Sequence, residues 1–95
     1  MTQIIRYQGG IYISGHAGYA KAGSDIVCAA ISTLAQNLIL SIEELTQDRI
    51  KYDIQPAMVD IQFKELSVEG KLLVDSFFIG AQDIAKQYPK HVRID

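Results

Sequence analysis

Apolar residues recur at helical spacing over the stretch from residue 27 to residue 45. The set is Val27, Ile31, Leu34, Leu38, Ile42 and Leu45, with steps of 4, 3, 4, 4 and 3 residues. That period places all these side chains on one face of a single α-helix. Ser24 and Asp25, just before it, favour the N-cap position, because their side chains accept hydrogen bonds from the unpaired N–H groups of a first turn. A long helix with one apolar face needs a second layer to cover that face.

Two pairs of β-type runs flank the predicted helix and are candidates for that layer. The first pair, residues 4–7 and 11–13, is separated by the turn-forming sequence Gln8-Gly9-Gly10, which predicts a hairpin. The second pair, residues 50–54 and 59–63, alternates apolar and polar residues around Pro56-Ala57. Alternation with a period of two predicts antiparallel strands that are covered on one side only.

A second amphipathic helix is predicted after Gly70 and is ended by Pro89. Its apolar residues are Leu73, Phe77, Ala81, Ile84 and Tyr88. Residues 92–94 can add a short C-terminal edge strand, which makes the predicted order ββαββα with that strand last. The fold class is therefore α+β: a two-layer sandwich in which a small, mostly antiparallel sheet carries two long helices on one face.

Size and charge restrict the classes of function. The chain has 95 residues, the size of one small domain spanning residues 1–95, and we expect so small a core to be completed by a homodimer. Its 9 Lys and Arg against 11 Asp and Glu give a net charge of −2, which argues against a module that holds nucleic-acid phosphates. The sequence has no uninterrupted apolar run of 18 residues and no secretory leader, so we expect a cytoplasmic protein without a membrane partner. The single cysteine, Cys28, excludes an intramolecular disulfide.

His16 and Cys28 stand on either side of a glycine-rich stretch, residues 15–23, GHAGYAKAG. His16 follows the second predicted strand, and Cys28 is the third helical residue if Asp25 is the N-cap. Because glycines make the intervening loop permissive, the strand end and the helix start can lie side by side. A helix N-terminus favours the thiolate form of cysteine, and an adjacent imidazole can take the thiol proton and later return one to a leaving amine. The pair predicts a nucleophilic cysteine with a histidine as its base.

Asp25 and Ser32 lie on the same flank of the predicted helix as Cys28, at spacings of 3 and 4 residues. This flank differs from the apolar stripe, as expected for one that lines a cleft. Each residue also has a plain structural interpretation: Cys28 as a small buried hydrophobe, Asp25 as a helix cap only, and His16 as a strand-end residue. The spacing by itself leaves these alternatives open.

Three other kinds of site are incomplete in this sequence. Gly15-His16-Ala17-Gly18 has the GXXG form of an RNA-binding KH loop, but it follows a strand, and Lys21 is the only cation between residues 7 and 48. The same glycines precede a helix N-terminus, yet neither G-x-G-x-x-G nor G-K-[ST] is present. A metal site would need three or four ligands, and the spacing of His16, Cys28 and His91 matches none. We therefore predict no metal and no cofactor.

Residues 14–32, SGHAGYAKAGSDIVCAAIS, resemble the ribosomal-processing cysteine protease family of Firmicutes and their relatives. The shared pattern is G-H-A-G followed by G-x-D-I-V-C-A-A-x-S, and the block matches it without departure. It places Gly15, His16, Asp25, Cys28 and Ser32 at the family's positions and mutual spacing. Outside the block the resemblance is one of chain length and element order.

The resemblance implies a cysteine endopeptidase in which His16 and Cys28 form a catalytic dyad. Asp25 and Ser32 would support the dyad, Asp25 either by orienting the histidine or by capping the helix. The family's substrate is the N-terminal extension of ribosomal protein twenty-seven of the large subunit. The implied partner is therefore a peptide, and direct binding of nucleic acid is not expected.

The resemblance also implies a homodimer and a mobile loop over the site. The loop residues that we expect to contact substrate are Gly15, Gly18, Tyr19 and Gly23, with the glycines acting as hinges. One alternative comes from a different class of protein. It is a small, dimeric, non-enzymatic domain that binds a ribosomal protein or RNA through the glycine-rich loop, with Cys28 as an inert core residue.

Overall fold

The computed structural model describes residues 1–21 and 23–95. In chain order the elements are β1 (Thr2–Tyr7), β2 (Gly10–Ser14), α1 (Ile26–Leu45), β3 (Ile50–Gln55), β4 (Met58–Phe63), α2 (Val68–Gln87) and β5 (Val92–Ile94). The predicted order of elements, including the short C-terminal strand, is confirmed.

The strands form one mixed sheet in the order β3-β4-β2-β1-β5. The pairs β1–β2, β2–β4 and β3–β4 are antiparallel, whereas β5 runs parallel to β1. In the β1–β2 turn Gly9 has a φ of 96°, a left-handed conformation that glycine adopts without steric cost. The end of central strand β2 meets the β3–β4 turn, where the Gly15 N–H donates to the Ala57 carbonyl at 2.9 Å. This end of the sheet is where the glycine-rich loop begins.

α1 and α2 pack side by side on one face of the sheet, as predicted for a two-layer α+β fold. The buried apolar side chains are Ile4, Ile11, Ile13, Ala17, Val27, Ile31, Ala35, Leu38, Ile39, Ile42, Ile61, Val74, Phe77, Phe78, Ala81 and Val92. Leu45 was expected in this stripe, but it is 71% exposed because it is the last residue of α1. Leu34 is partly buried and lies beside Gly80 of α2.

By length and composition alone, α1 is also apolar enough to cross a membrane. Its buried stripe, which includes Val27, Ile31 and Ile42, packs into the core cluster with strand residues such as Ile4 and Ile61. In the folded chain α1 is a core helix of the sandwich, and its apolar stripe covers the sheet.

α2 begins earlier than the sequence pattern suggested, at Val68, so that Gly70 lies inside its first turn. Ser67 is the N-cap, and its Oγ accepts a hydrogen bond from the Gly70 N–H at 3.0 Å. A Cβ at Gly70 would run into the carboxylate of Asp48, and the side chain of Leu66 is also close. The glycine therefore permits close packing of the helix start, and the prediction that it marks a helix boundary was wrong.

β3 is less buried than its alternating pattern suggested. Tyr52 pairs with Ile61 and Ile54 with Val59, so both side chains point to the face that carries the helices. They are nevertheless 47% and 49% exposed, because β3 is an edge strand of the sheet. The half-open face at this edge lies beside the end of the sheet that bears the glycine-rich loop.

Candidate active site

Asp25 organises the start of α1. Its Oδ1 accepts hydrogen bonds from the N–H groups of Val27 and Cys28, each at 3.0 Å. Its Oδ2 reaches out of the helix and accepts from Tyr19 at 3.0 Å and from Ala20 at 3.3 Å. These N–H groups, that of Cys28 most strongly, hold the pKa of the Asp25 carboxyl below its usual value. Asp25 is therefore the predicted N-cap, and it also fastens the glycine-rich loop to the helix.

Cys28 is the third residue of α1, as predicted, and is half-buried. Its Sγ accepts a hydrogen bond from the N–H of Ala17 at 3.2 Å. Ala17 follows His16 directly and is only 2% exposed. The helix terminus was expected to act on the sulfur, but the N–H groups of Val27 and Cys28 are engaged by Asp25. The hydrogen bond to the sulfur comes instead from the loop.

Cys28, His16 and Ser32 line the same two openings in the surface. The first, which we call the apolar cavity, has a volume of about 160 Å³ and lies between α1 and the ends of β2 and β4. The second, which we call the loop cleft, has a volume of about 520 Å³ and is bounded on the loop side by Ala20 and Gly23. The thiol thus lies between the apolar cavity and the more open loop cleft.

His16 and Ser32 are both exposed side chains at the rim of these openings. Both residues of the predicted dyad are described by the structure, and the hydrogen bond that Sγ accepts is from Ala17 rather than from the imidazole. Catalytic hydrogen bonds are often long or unaligned in a free enzyme and tighten when substrate binds. The fold brings His16, Cys28 and Ser32 to one site, with His16 facing open space.

The glycine-rich loop is docked on the far side from Cys28 by aromatic contacts. The ring of Tyr19 packs edge-on against Tyr88, with ring centroids 5.4 Å apart, and against His91 at 5.5 Å. Nδ1 of His91 is 2.9 Å from the carbonyl oxygen of Ala17. The loop is therefore tied at three places: the thiol, the Asp25 carboxylate and the segment that follows α2.

The loop glycines differ in why they are required. Gly15, Gly18 and Gly23 all have positive φ angles, of 89°, 72° and 87°. A Cβ at Gly15 would strike the backbone carbonyl of Met1, whereas Gly18 and Gly23 have open space around them. Glycine at the last two positions is thus needed for backbone conformation alone. Residue 22, which the predicted lid includes, lies outside the described residues.

Sequence reasoning missed the role of Tyr88 and His91 at this site. His91 was considered only as a metal ligand, and it contacts a residue 74 positions away in the chain. No local motif signals such a contact; it arises because β5 pairs with β1 and returns the chain to this end of the sheet. Within residues 1–21 and 23–95, no three His, Cys, Asp or Glu side chains converge to hold a metal ion.

Known proteins resemble this chain both in sequence and in fold. Residues 3–93 match the family model of cysteine protease Prp. The ribosomal processing cysteine protease Prp of Staphylococcus aureus is 27% identical over 88 residues, which are 90% of this chain and 83% of that protein. The similarity therefore extends well beyond the block around Cys28.

Solved structures have the same fold. A crystal structure of the S. aureus protease Prp with a covalently linked product peptide superposes with a TM-score of 0.90 at 22% identity, covering 99% of this chain and 95% of that one. A second, with a substrate peptide, gives a TM-score of 0.83 at 21% identity and the same coverage. A Streptococcus mutans protein gives 0.76 at 28% identity, covering 99% and 90%. Because the family model matches nearly the whole chain, this protein belongs to the Prp family of ribosomal processing cysteine proteases, and it is an enzyme rather than the non-enzymatic binding domain that the loop alone left open.

Proposed function

We propose that this chain is a cysteine endopeptidase that removes the N-terminal extension of ribosomal protein twenty-seven of the large subunit, with Cys28 as nucleophile and His16 as acid and base. The observation that carries the proposal is the place of the Cys28 Sγ, hydrogen-bonded to the Ala17 N–H between the apolar cavity and the loop cleft. A peptide that crosses the thiol has space on both sides of the scissile bond. The S. aureus Prp structures with substrate and product peptides support a peptide as the ligand.

The reaction follows from the chemistry of these two side chains. His16 takes the thiol proton, and Sγ of Cys28 attacks the carbonyl carbon of the scissile bond to give a tetrahedral intermediate. The C–N bond then breaks, the imidazolium of His16 protonates the leaving amine, and a thioester remains on Cys28. His16 deprotonates a water molecule that attacks the thioester, which releases the carboxylate product and the thiol. The Ala17 N–H is a fixed donor beside the sulfur and stabilises negative charge there.

Asp25 acts in this proposal as a positioning residue. Both of its carboxylate oxygens are occupied by backbone N–H groups, two from the helix start and two from the loop. This arrangement supports the cap alternative over direct orientation of His16. Ser32 lies one turn beyond Cys28 in the wall of both openings, where its hydroxyl can hydrogen-bond a bound peptide. We assign it a positioning role rather than that of a second nucleophile.

The loop from Gly18 to Gly23 acts in this proposal as a lid over the bound peptide. Tyr19 is 46% exposed and lies in a segment with left-handed glycines at both ends. Opening would require Tyr19 to leave Tyr88 and His91, and these contacts are exposed enough to exchange without unfolding the core. Such a lid would exclude water from the thioester until the amine product has left.

We further propose that the enzyme works as a cytoplasmic homodimer. Large apolar side chains on the helices support a second copy as the partner: Leu40, Leu45, Leu72 and Ile79 are each more than 60% exposed. Light scattering over a concentration series measures the mass directly, and a dimer mass is expected at micromolar concentration. A monomer mass at every concentration contradicts this part of the proposal without affecting the chemistry. Cell fractionation tests the compartment separately.

The function is tested with a synthetic peptide that copies the extension and the first residues of the mature ribosomal protein. The wild type is expected to cut it once, at a bond located by mass spectrometry, and to leave a peptide of scrambled sequence intact. Cys28→Ala and His16→Ala are expected to abolish cleavage while circular dichroism stays unchanged. Thr33→Ala, an exposed change on the same helix outside both openings, is the matched control and retains full rate.

Two outcomes overturn the proposal in different ways. Cleavage by Cys28→Ala at the wild-type rate removes the cysteine mechanism. Equal cleavage of the scrambled peptide removes the substrate assignment and leaves the mechanism standing. A thiol active as a nucleophile also reacts with iodoacetamide in the native state below pH 8, whereas an inert core cysteine reacts only on unfolding.

A further inference from the structure

Ala17 links the nucleophile to the C-terminal segment of the chain. Its N–H donates to the Cys28 Sγ at 3.2 Å, and its carbonyl oxygen lies 2.9 Å from Nδ1 of His91. Ala17 is 2% exposed, so water does not compete for either contact. One residue therefore carries both the donor on the sulfur and the acceptor for a histidine from the other end of the chain.

His91 is itself held in place by the fold. Its backbone N–H donates to the carbonyl of Tyr88 at 2.9 Å, and its own carbonyl accepts from the N–H of Thr2 at 2.9 Å. The first contact joins it to the C-cap of α2, and the second joins it to the start of β1. The ring packs edge-on against Tyr19 at an interplanar angle of 82°. The imidazole is thus aimed at the loop by two elements of regular structure.

The chemistry of this contact defines the proton on His91. A carbonyl oxygen can only accept, so Nδ1 must carry a hydrogen, either in the neutral Nδ1–H tautomer or in the imidazolium. The contact is therefore a hydrogen bond donated by His91, and it supports the loop. A fixed donor on a sulfur that becomes negatively charged contributes only while its direction is maintained.

We propose that His91 is a positioning residue for catalysis, which holds the carbonyl of Ala17 so that the Ala17 N–H stays directed at the Cys28 sulfur. The inference rests on the proposed function, because it requires Cys28 to be the nucleophile. His91 acts through Ala17 and touches neither the thiol nor, in this role, the substrate.

Two substitutions separate the hydrogen bond from the aromatic packing. His91→Phe keeps a ring against Tyr19 and removes the donor, whereas His91→Asn removes the ring and keeps an amide N–H near the place of Nδ1. Lys90→Ala, an exposed change at the residue before His91, is the matched control, because it leaves the aromatic contacts of Tyr19 and the contact with the Ala17 carbonyl in place. Each variant is assayed for kcat and KM on the extension peptide, for the pH dependence of iodoacetamide alkylation, and for thermal unfolding.

We expect His91→Phe to lower kcat about tenfold with KM changed by less than about threefold, the loss expected for one misdirected donor to a charged group. Its alkylation curve is expected to move to higher pH, because the thiolate has lost part of its stabilisation. His91→Asn is expected to recover most of the loss in both readouts, although it is the variant that lacks the ring.

The result that overturns the inference is a wild-type kcat and alkylation curve for His91→Phe, or equal losses in His91→Phe and His91→Asn. Equal losses that track the melting temperature assign His91 to folding alone. Cys28→Ala is assayed in parallel to separate the two proposals. If it is inactive while His91→Phe is normal, only this inference fails; if it is active, the proposed function has failed first.

Discussion

The two long helices begin alike and are used differently. At α1 the carboxylate of Asp25 accepts from the helix N–H groups and from the loop before it. At α2 the Oγ of Ser67 accepts from Gly70, and the carboxylate of Asp48 accepts from both the N–H and the hydroxyl of Ser67. In each case one aspartate ties the start of a helix to a preceding segment.

The difference lies at the third helical residue, which is Cys28 in α1 and Gly70 in α2. The space above Gly70 is filled by the carboxylate of Asp48, which leaves no room for a Cβ. The corresponding space at Cys28 is open, and the thiol faces the apolar cavity and the loop cleft. The start of α2, where a carboxylate fills the space at the third residue, stabilises the fold. The start of α1, where that space is open, presents a thiol to solvent.

The carboxylate of Asp25 holds the loop to the start of α1 through Tyr19 and Ala20, and we call this pair of hydrogen bonds the clamp. The largest effect is expected when the clamp is removed. Asp25→Ala takes the acceptor from Tyr19 and Ala20, so the loop is no longer fastened to α1 and Ala17 no longer stays aligned with Cys28. We expect kcat/KM on the extension peptide to fall about a hundredfold, the size of effect that follows a displacement of about 1 Å in a catalytic group. Single-turnover cleavage measures it.

The control for Asp25→Ala is Asp25→Asn, which keeps one acceptor oxygen and is expected to lose less activity. A melting temperature that falls in Asp25→Ala while single-turnover cleavage stays at the wild-type rate contradicts the clamp. In that case Asp25 is a cap and no more, and the two helix starts are equivalent.

At the start of α2 the expected effect is on the free energy of unfolding. Asp48→Ala leaves the N–H and hydroxyl of Ser67 without their acceptor and opens the space above Gly70. We expect a loss of about 2 kcal/mol in the free energy of unfolding, the usual cost of a lost cap together with a charge-assisted hydrogen bond. Urea denaturation measures it, and kcat/KM per folded molecule is expected to be unchanged. A tenfold loss of activity in Asp48→Ala would show that the two helix starts are coupled.

A smaller effect is expected from filling the space at the third residue of α2. Gly70→Ala forces the Asp48 carboxylate and the Leu66 side chain to shift, which we expect to cost about 1 kcal/mol after the gain in helix propensity. Gly80→Ala is the matched control within the same helix. Its Cβ would lie 3.2 and 3.3 Å from the two methyl groups at the end of the Leu34 side chain, so the propensity gain should offset the crowding. Urea denaturation measures the free energy of unfolding of both variants. Equal losses would mean that the Asp48 side chain moves away from the new Cβ without a cost in stability.

The comparison also separates what sequence can predict from what it cannot. The element order and the place of Cys28 follow from periodicity and from one N-cap residue, which are local properties. The start of α2 was misplaced because Gly70 resembles a helix breaker in sequence. It is required instead by Asp48, which lies in another segment and has no fixed spacing to it.

Some features of the site could likewise be predicted from the sequence, and others could not. The resemblance in residues 14–32 indicated His16, Cys28, Asp25 and Ser32, and the fold places all four at the start of α1 or beside it. The helix N-terminus was expected to favour the thiolate, but Asp25 occupies the N–H groups of Val27 and Cys28, and the donor to the sulfur is the N–H of Ala17. The contact of His91 with Ala17 depends on how β5 pairs with β1, and no pattern in the sequence fixes the geometry of that pairing.

The smallest expected effect is the pH dependence of the clamp. Because the pKa of Asp25 is lower in the folded protein than its usual value, the unfolded chain takes up the proton first as pH falls. The stability that Asp25 contributes is therefore fully present above about pH 4 and is lost as pH falls through its folded pKa. The difference in urea midpoint between wild type and Asp25→Asn should stay constant from pH 7 to about pH 4 and narrow below it. A difference that widens on acidification would mean that the protonated carboxyl of Asp25 binds the loop better than the charged one. The charge of Asp25 would then not stabilise the start of α1.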